Sequence, residues 1–336
     1  MTDAIAALPA APARRVRLAV LGTGWIFTAA HLPAYRALRA AGWQVELVAA
    51  YDRDPASLAK AVAAEPGMRP ARDIDDLVSG IDALLVLLPS NVTGEVVVGV
   101  AGRVGAILAE KPVADDVAAI ERCADAATRA GCRVQVAFNR AHQALAPSFL
   151  AQARRDAAHH VAIRFARVNR SEAKFYGDVL GHPLSLLHHG FGALSIDQVL
   201  VDRAGDALPR GVLVSGRAGG ATFALDMRPA VGRMVEEYLA YGNAASMRLT
   251  FQFDHVAADP AGLWRLSGGE SHAQHVARHG DDHVLLAGFT HQLASFVRLA
   301  AGDLAAPSCG LADAAAIQRA IRAAMAVIGE RRTASA

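Results

Sequence analysis

The sequence predicts an α/β chain in two parts: a parallel sheet wrapped on both faces by helices, then an α+β domain built on a mostly antiparallel, open sheet. Three observations carry this. Up to about residue 138, short and nearly continuous apolar runs alternate with segments of helical period, the pattern of strands buried on both faces. Beyond it the apolar runs follow one another with turns and no helices between them, as in an antiparallel sheet. The chain has 336 residues, enough for two cores at roughly 100–200 residues per domain.

Taken in order, residues 1–13 are rich in Ala and Pro and read as a disordered lead-in. Arg14 and Arg15 follow its apolar part, the reverse of a secretory signal. Residues 16–21 read as a strand, Gly22-Thr23-Gly24 as a tight turn and 26–38 as a helix. A second strand, 45–51, ends at Asp52, and Pro55 sets the start of a helix over 55–64. Strands over 81–88, 106–109 and 134–138 alternate with helices over 93–100 and 115–130, giving a first domain at 14–138. The second domain, 139–330, carries strands at 161–168, 211–214, 221–227, 236–241 and 247–253, closing helices at 285–300 and 311–328, and a polar tail at 331–336.

Composition narrows the function. Lys+Arg 34 against Asp+Glu 32, with the basic residues scattered, leaves no electrostatic footprint for nucleic acid or an anionic membrane. Apolar runs all fall short of the roughly 18–20 residues that cross a bilayer. Cys123, Cys132 and Cys309 are odd in number and show neither C-x-x-C nor metal-ligand spacing, which predicts free thiols in a reducing cytoplasm. His272, His275, His279 and His283 fall in a polar segment read as a loop, without the carboxylate or Cys set of a metal site, so no metal is expected. Only Lys60, Lys111 and Lys174 among the 34 basic residues are lysines, and a retained Lys matters most where a compact, titratable ammonium is needed.

The chemistry-bearing residues cluster at strand ends. At Gly22-x-Gly24 the first Gly permits the turn and the second lets a pyrophosphate approach the N–H groups at the helix start, so Gly22, Thr23, Gly24, Trp25 and Ile26 are cofactor-binding candidates. Phe27 stands where that dinucleotide fingerprint carries a third small residue. A carboxylate at Asp52 can accept from both hydroxyls of an adenine ribose and would repel a 2′-phosphate, which favours NAD over NADP. Arg53 is the competing reading: it covers the adenine or meets a phosphate, and keeps NADP as the second cofactor. Glu110-Lys111-Pro112 ends a strand at the carboxyl edge, where open α/β sheets bind ligands.

Gly22-Thr23-Gly24 at its strand-turn-helix, His31-Leu32-Pro33, Asp52-Arg53, Glu110-Lys111-Pro112 and Phe138-Asn139-Arg140 together resemble the glucose–fructose oxidoreductase / inositol dehydrogenase (Gfo/Idh/MocA) family over nearly the whole chain. The resemblance implies a Rossmann NAD(P)-binding domain followed by a substrate-binding and oligomerisation domain. It implies that Lys111 sits beside the nicotinamide and the reacting carbon, polarising a carbonyl or moving a proton. Leu88-Pro89-Ser90-Asn91 resembles the loop against the nicotinamide ribose, Glu110 and Asn139 join the cofactor set, and Thr93 stands where the family has a histidine. The family's D-x-G-x-H-x-x-D helix is matched only at Gly192 and Asp197, because Gly190 replaces the acid and Leu194 the histidine. His188 and His189 lie just upstream, and on a continued helix His189 shares a face with Ala193 and Asp197. Lys111, Asp197, His188 and His189 are therefore the catalytic candidates. Asn169-Arg170 and Lys174-Phe175-Tyr176 are read equally as substrate contacts or as a polar connection.

These readings lead to an NAD(P)-dependent oxidoreductase acting on a small polar sugar, cyclitol or related carbonyl or imine. Reduction is easier than alcohol oxidation here, because the usual Asp and His are replaced. The alternative is a catalytically silent relative binding NAD or a sugar as a regulatory or partner-binding module; a third is an NAD-assisted eliminating or hydrolytic enzyme. An open sheet with one uncovered face predicts a homo-dimer or homo-tetramer.

Overall fold

The computed structural model describes residues 5–172, 174–203, 208–251, 261–277 and 282–329. Residues 1–4, the tail 331–336, His279 and residues 252–253 of the expected strand 247–253 lie outside them. The chain forms two compact units, one of Leu8–Asn139 with Gly288–Ala315, the other of Arg140–Ala287 with residues 5–7 and 316–329.

The first unit begins with β1 (Val16–Leu21), whose central residues are fully buried. After the Gly turn the helix does not run as a plain α-helix over 26–38. Phe27–His31 is a π-turn, closed by the Leu32 N–H on the Phe27 carbonyl, and α1 (Leu32–Ala40) follows. The alternation continues through β2 (Val45–Tyr51), α2 (Pro55–Ala64), β3 (Arg69–Pro70), α3 (Ile74–Leu77), β4 (Ala83–Val86), α4 (Ser90–Val100), β5 (Ala106–Ala109), α5 (Val117–Ala130) and β6 (Arg133–Val136). Local chemistry fixes the helix starts. Asp54 caps α2 by accepting the Ala56 and Ser57 N–H groups, with Pro55 following it, and Asp116 caps α5. All pairings are parallel, in the order β3-β2-β1-β4-β5-β6. That order reverses between β1 and β4, the switch point at which a doubly wound sheet opens a crevice beyond its strand ends.

The second unit carries α6 (Ala146–Arg155), β7 (His160–Ala166), α7 (Phe175–Val179), α8 (Gly181–Phe191) and the strands β8 (Leu194–Asp202), β9 (Gly211–Ala218), β10 (Ala221–Arg228), β11 (Val235–Tyr241), β12 (Ser246–Thr250), β13 (Gly262–Ser267) and β14 (Glu270–Val276). They form one sheet ordered β14-β13-β12-β11-β7-β10-β9-β8, antiparallel except where β10 runs parallel to β7. The sheet is thus not a single meander: β7 lies inside, with β8–β10 on one side and β11–β14 on the other. Alternation marks its two faces. Ala221, Phe223, Leu225 and Met227 of β10 are buried, while Thr222 and Ala224 between them are exposed. The segment holding His272 and His275, expected as a loop, is the edge strand β14.

The chain then forms α9 (His283–Leu286), and Gly288, at φ +93°, separates it from α10 (Phe289–Ala301), where one helix was expected. α10 belongs to the first unit, although the sequence divides the chain once, at 138/139. α11 (Leu311–Gly329) closes the described chain. No helix among the described residues is long and apolar enough to cross a membrane.

Candidate active site and dinucleotide cradle

The cradle is built where β1, β2, β4 and β5 end. Gly22 donates to the Tyr51 carbonyl at 2.9 Å and turns with φ +95°. A Cβ at Gly22 would stand 2.4 Å from the Leu87 oxygen, so only glycine passes between the β1 and β4 ends. Gly24 is the opposite case: a Cβ there would meet nothing within 4 Å, leaving open space at the helix start. The residues present fit a dinucleotide, because backbone N–H groups at that end can be approached closely by a pyrophosphate. Trp25 beside it is 70% exposed, and Ile26 is half-buried.

Asp52 is tied to this turn. One carboxylate oxygen accepts the Thr23 N–H at 2.6 Å and its hydroxyl at 3.1 Å, and the other accepts the Asp54 N–H at 2.9 Å. A carboxylate has about four acceptor positions, so room remains for a ribose hydroxyl on the second oxygen. Thr23 is buried and Arg53 exposed. Leu88 and Ser90 are half-buried, Pro89 and Asn91 exposed; only Leu88 and Pro89 belong to the connection, since Ser90 and Asn91 open α4, which begins before the expected 93. Thr93 turns inward instead: its hydroxyl donates to the carbonyls of Leu88 and Pro89 at 2.9 and 3.0 Å, fastening the first turn of α4.

Lys111 stands one residue past Glu110, whose N–H continues the ladder to the Val86 carbonyl at 2.9 Å. Lys111 is half-buried, and its peptide bond to Pro112 is cis. The Glu110 carboxylate is nearly buried. One oxygen lies 2.9 Å from His31 Nε2, and the other accepts the Lys111 N–H at 3.1 Å. No local spacing announces this contact, because His31 and Glu110 are 79 residues apart. Asn139 is buried in the short 3₁₀ turn Asn139–His142.

The candidates of the second unit are arranged differently from the expectation. α8 ends at Phe191, and Gly192, at φ +111° and ψ −153°, turns the chain into β8. Ala193 and Asp197 therefore do not continue the helix of His189, and Asp197 lies exposed on a strand. The physical reason is the close passage of two glycines: a Cβ on Gly219 would lie 2.0 Å from the Phe191 oxygen. His188 is half-buried and His189 exposed near the end of α8. At Gly190 the room for a side chain is filled, since a Cβ would come within 2.4 Å of a Leu150 methyl group. Phe175 and Tyr176 are core residues, the Tyr176 hydroxyl donating to the Pro209 carbonyl at 2.9 Å. Arg170 pairs with Glu172, leaving Lys174 as the exposed end of that segment.

Sequence reasoning did not find one buried cluster of this unit. Glu236 accepts from Arg140 at 2.7 and 2.9 Å, from Arg167 at 2.6 Å and from the Tyr238 hydroxyl at 3.2 Å. Burial alone would raise the Glu236 carboxyl, but the two guanidiniums outweigh it and hold it below its ordinary value. Among the described residues no cluster of His, Cys, Asp or Glu could hold a metal ion.

No curated protein sequence matches the chain. Among solved structures it is similar to a dehydrogenase (MviM) from Clostridium difficile, at 14% identity and TM-score 0.81, with 94% of this chain and 100% of that one covered. It is similar to an oxidoreductase from Agrobacterium radiobacter in complex with NAD+, L-tartaric acid and magnesium, at 16% identity and TM-score 0.77, covering 94% and 97%. A 3-ketoreductase from Actinomadura kijaniata in complex with NADP and TDP-benzene aligns at 17% identity and TM-score 0.72, covering 93% and 98%. At these identities the likeness is one of fold. The sequence of residues 16–138 matches the model of an oxidoreductase family with an NAD-binding Rossmann fold. That family is Gfo/Idh/MocA, and the domain it matches is the one that carries the Gly22 turn, Asp52 and the Glu110-Lys111-Pro112 corner.

Proposed function

We propose that the protein is an NAD(P)-dependent oxidoreductase, with NAD the favoured cofactor, acting on a small polar sugar, cyclitol or related carbonyl or imine. The observation that carries this is the joint presence, on one carboxyl edge, of the open Gly24 turn, the Asp52 carboxylate fastened to Thr23, and Lys111 anchored through Glu110. A bound nicotinamide dinucleotide supplies or accepts the hydride. The chain's own residues do the rest. Backbone N–H groups from Gly24 to Ile26 hold the pyrophosphate, and Asp52 orients the adenine ribose. Leu88, Pro89, Ser90 and Asn91 flank the other sugar, while Lys111 steadies the substrate oxygen and delivers its proton. A donor fixed where an alkoxide develops is typically worth about 2.7–4 kcal/mol. His188, His189 and Asp197 remain catalytic candidates in the second unit, as separate side chains on α8 and β8.

Titration of NADH and NADPH into the wild-type chain and Asp52→Ala tests the cofactor assignment. The wild type is expected to bind NADH more tightly, and the variant to narrow the gap. Tighter NADPH binding by the wild type would overturn it and make Arg53 the phosphate reader.

A second reading, a silent NAD- or sugar-binding module, is favoured by the Leu150 methyl group occupying the side-chain room at Gly190 and by Asp197 on an exposed strand. Hydride exchange between labelled NADH and any carbonyl, imine or sugar alcohol separates the two readings. We also propose a homo-dimer or homo-tetramer, formed through the open sheet face of the second unit.

A further inference from the structure

We propose that His31 is a positioning residue: through Glu110 it fixes the Lys111 backbone, and with it the ammonium, at the carboxyl edge of the sheet. This rests on the reading in which Lys111 meets the reacting atoms.

A nearly buried carboxylate is costly unless both its oxygens are bonded. Glu110 meets this with one partner on each oxygen, His31 Nε2 at 2.9 Å and the Lys111 N–H at 3.1 Å. A carboxylate only accepts, so Nε2 must carry the proton. The other ring nitrogen agrees: Nδ1 is buried without a hydrogen-bond partner, and a proton there would have no acceptor.

The ring is held in place by its helix. Phe27, large where the dinucleotide fingerprint has a small residue, is fully buried, and the turn that follows it widens to π geometry. Such a turn inserts one residue relative to an α-helix and is frequent at functional sites. His31 closes it at 1% exposure, its ring edge-on to Phe289 with centroids 5.8 Å apart and planes at 73°. Nε2 is therefore a fixed donor. Deleting it removes one of the two bonds that hold the Glu110 carboxylate and frees the group that orients the Lys111 peptide.

The test uses the scarcity of lysine. Full-length protein labelled with ε-13C lysine gives three side-chain signals, from Lys60, Lys111 and Lys174, assigned by Lys→Arg replacement of each. Lys60 and Lys174 are exposed and serve as internal references. In the wild type the Lys111 line should stand apart from both. In His31→Leu it should move to the exposed-lysine position or broaden, with the references unmoved. His31→Gln, which can still donate to Glu110, should restore it. His31→Phe keeps a ring against Phe289 without the donor and serves where the Leu variant does not fold; it should behave as His31→Leu does.

A Lys111 line that stays at the wild-type position in a folded Leu or Phe variant overturns the proposal. So does one that coincides with the references in the wild type, or that Gln fails to restore. A purely structural His31 would lower the melting temperature without moving Lys111 relative to Lys60. Addition of NAD+ to the wild type tests the functional reading separately. No response of the Lys111 line to NAD+ removes that reading and leaves the His31 dependence standing or falling by itself.

Discussion

At the scale of single residues, Lys111 bears the most weight. If Lys111 acts as proposed, Lys111→Ala removes a cation that stabilises the charge developing on the substrate oxygen mainly in the transition state, so turnover should fall by about 100-fold or more while NAD affinity changes little. Steady-state rates beside NADH titration check this, and unchanged turnover would give the silent module first place. Lys111 was legible because it combines a rare residue with a strand end, and Asp52 because its place after the second strand has a chemical meaning for a ribose. His31 was legible only as part of a family likeness. Its partner is Glu110, a contact made by the tertiary fold across the sheet edge, which no period or spacing can announce. The same limit hid the end of α8: Gly192 looks like any helix glycine until Gly219 of another turn is seen beside Phe191.

At the scale of elements, the start of β11 and the end of β7 are joined by charge. Glu236 of β11 is enclosed by Arg167, one residue past β7, by Arg140 from the 3₁₀ turn, and by Tyr238, while Arg167 lies 3.7 Å over the Phe165 ring. Glu236→Gln leaves two buried guanidiniums facing an amide, and breaking a buried pair typically costs about 3–5 kcal/mol. The melting temperature should drop by several degrees, and an unchanged one would show the cluster to be dispensable. The pH dependence has a definite sign. The folded carboxyl lies below its ordinary value, so its contribution is present above that ordinary value and is lost as pH falls through the folded one. Thermal melts between about pH 3 and 7 should accordingly show a shallower acid limb in the variant. The strands themselves were readable from alternation. The route of β7 was not, because pairing with β10 and β11 depends on chain reversals that alternation does not encode.

At the scale of the molecule, the outer face of the eight-stranded sheet shows apolar side chains to solvent, Leu200 at 53% and Leu213 at 43% exposure. Ala162 and Ala224 line the same groove, with Arg164, Gln198, Ser215 and Asp226 among them. A sheet face of this composition is stabilised by covering it. Light scattering at micromolar concentration should give a dimer or tetramer for the wild type and a smaller species for Leu213→Arg; a monomeric wild type would contradict the proposed assembly.

The return of α10 to the first unit bears on biosynthesis. Gln135 of β6 donates to the Gln292 carbonyl, 157 residues further along, and the Val136 N–H donates to the Cys309 carbonyl. A ribosome adding roughly 5–20 residues per second needs roughly 8–30 s to make that stretch. During that interval the nascent parallel sheet has its β6 edge uncovered, an invitation to pairing with other chains. The unit that holds the parallel sheet can therefore be completed only after the strands of the second unit have been synthesised.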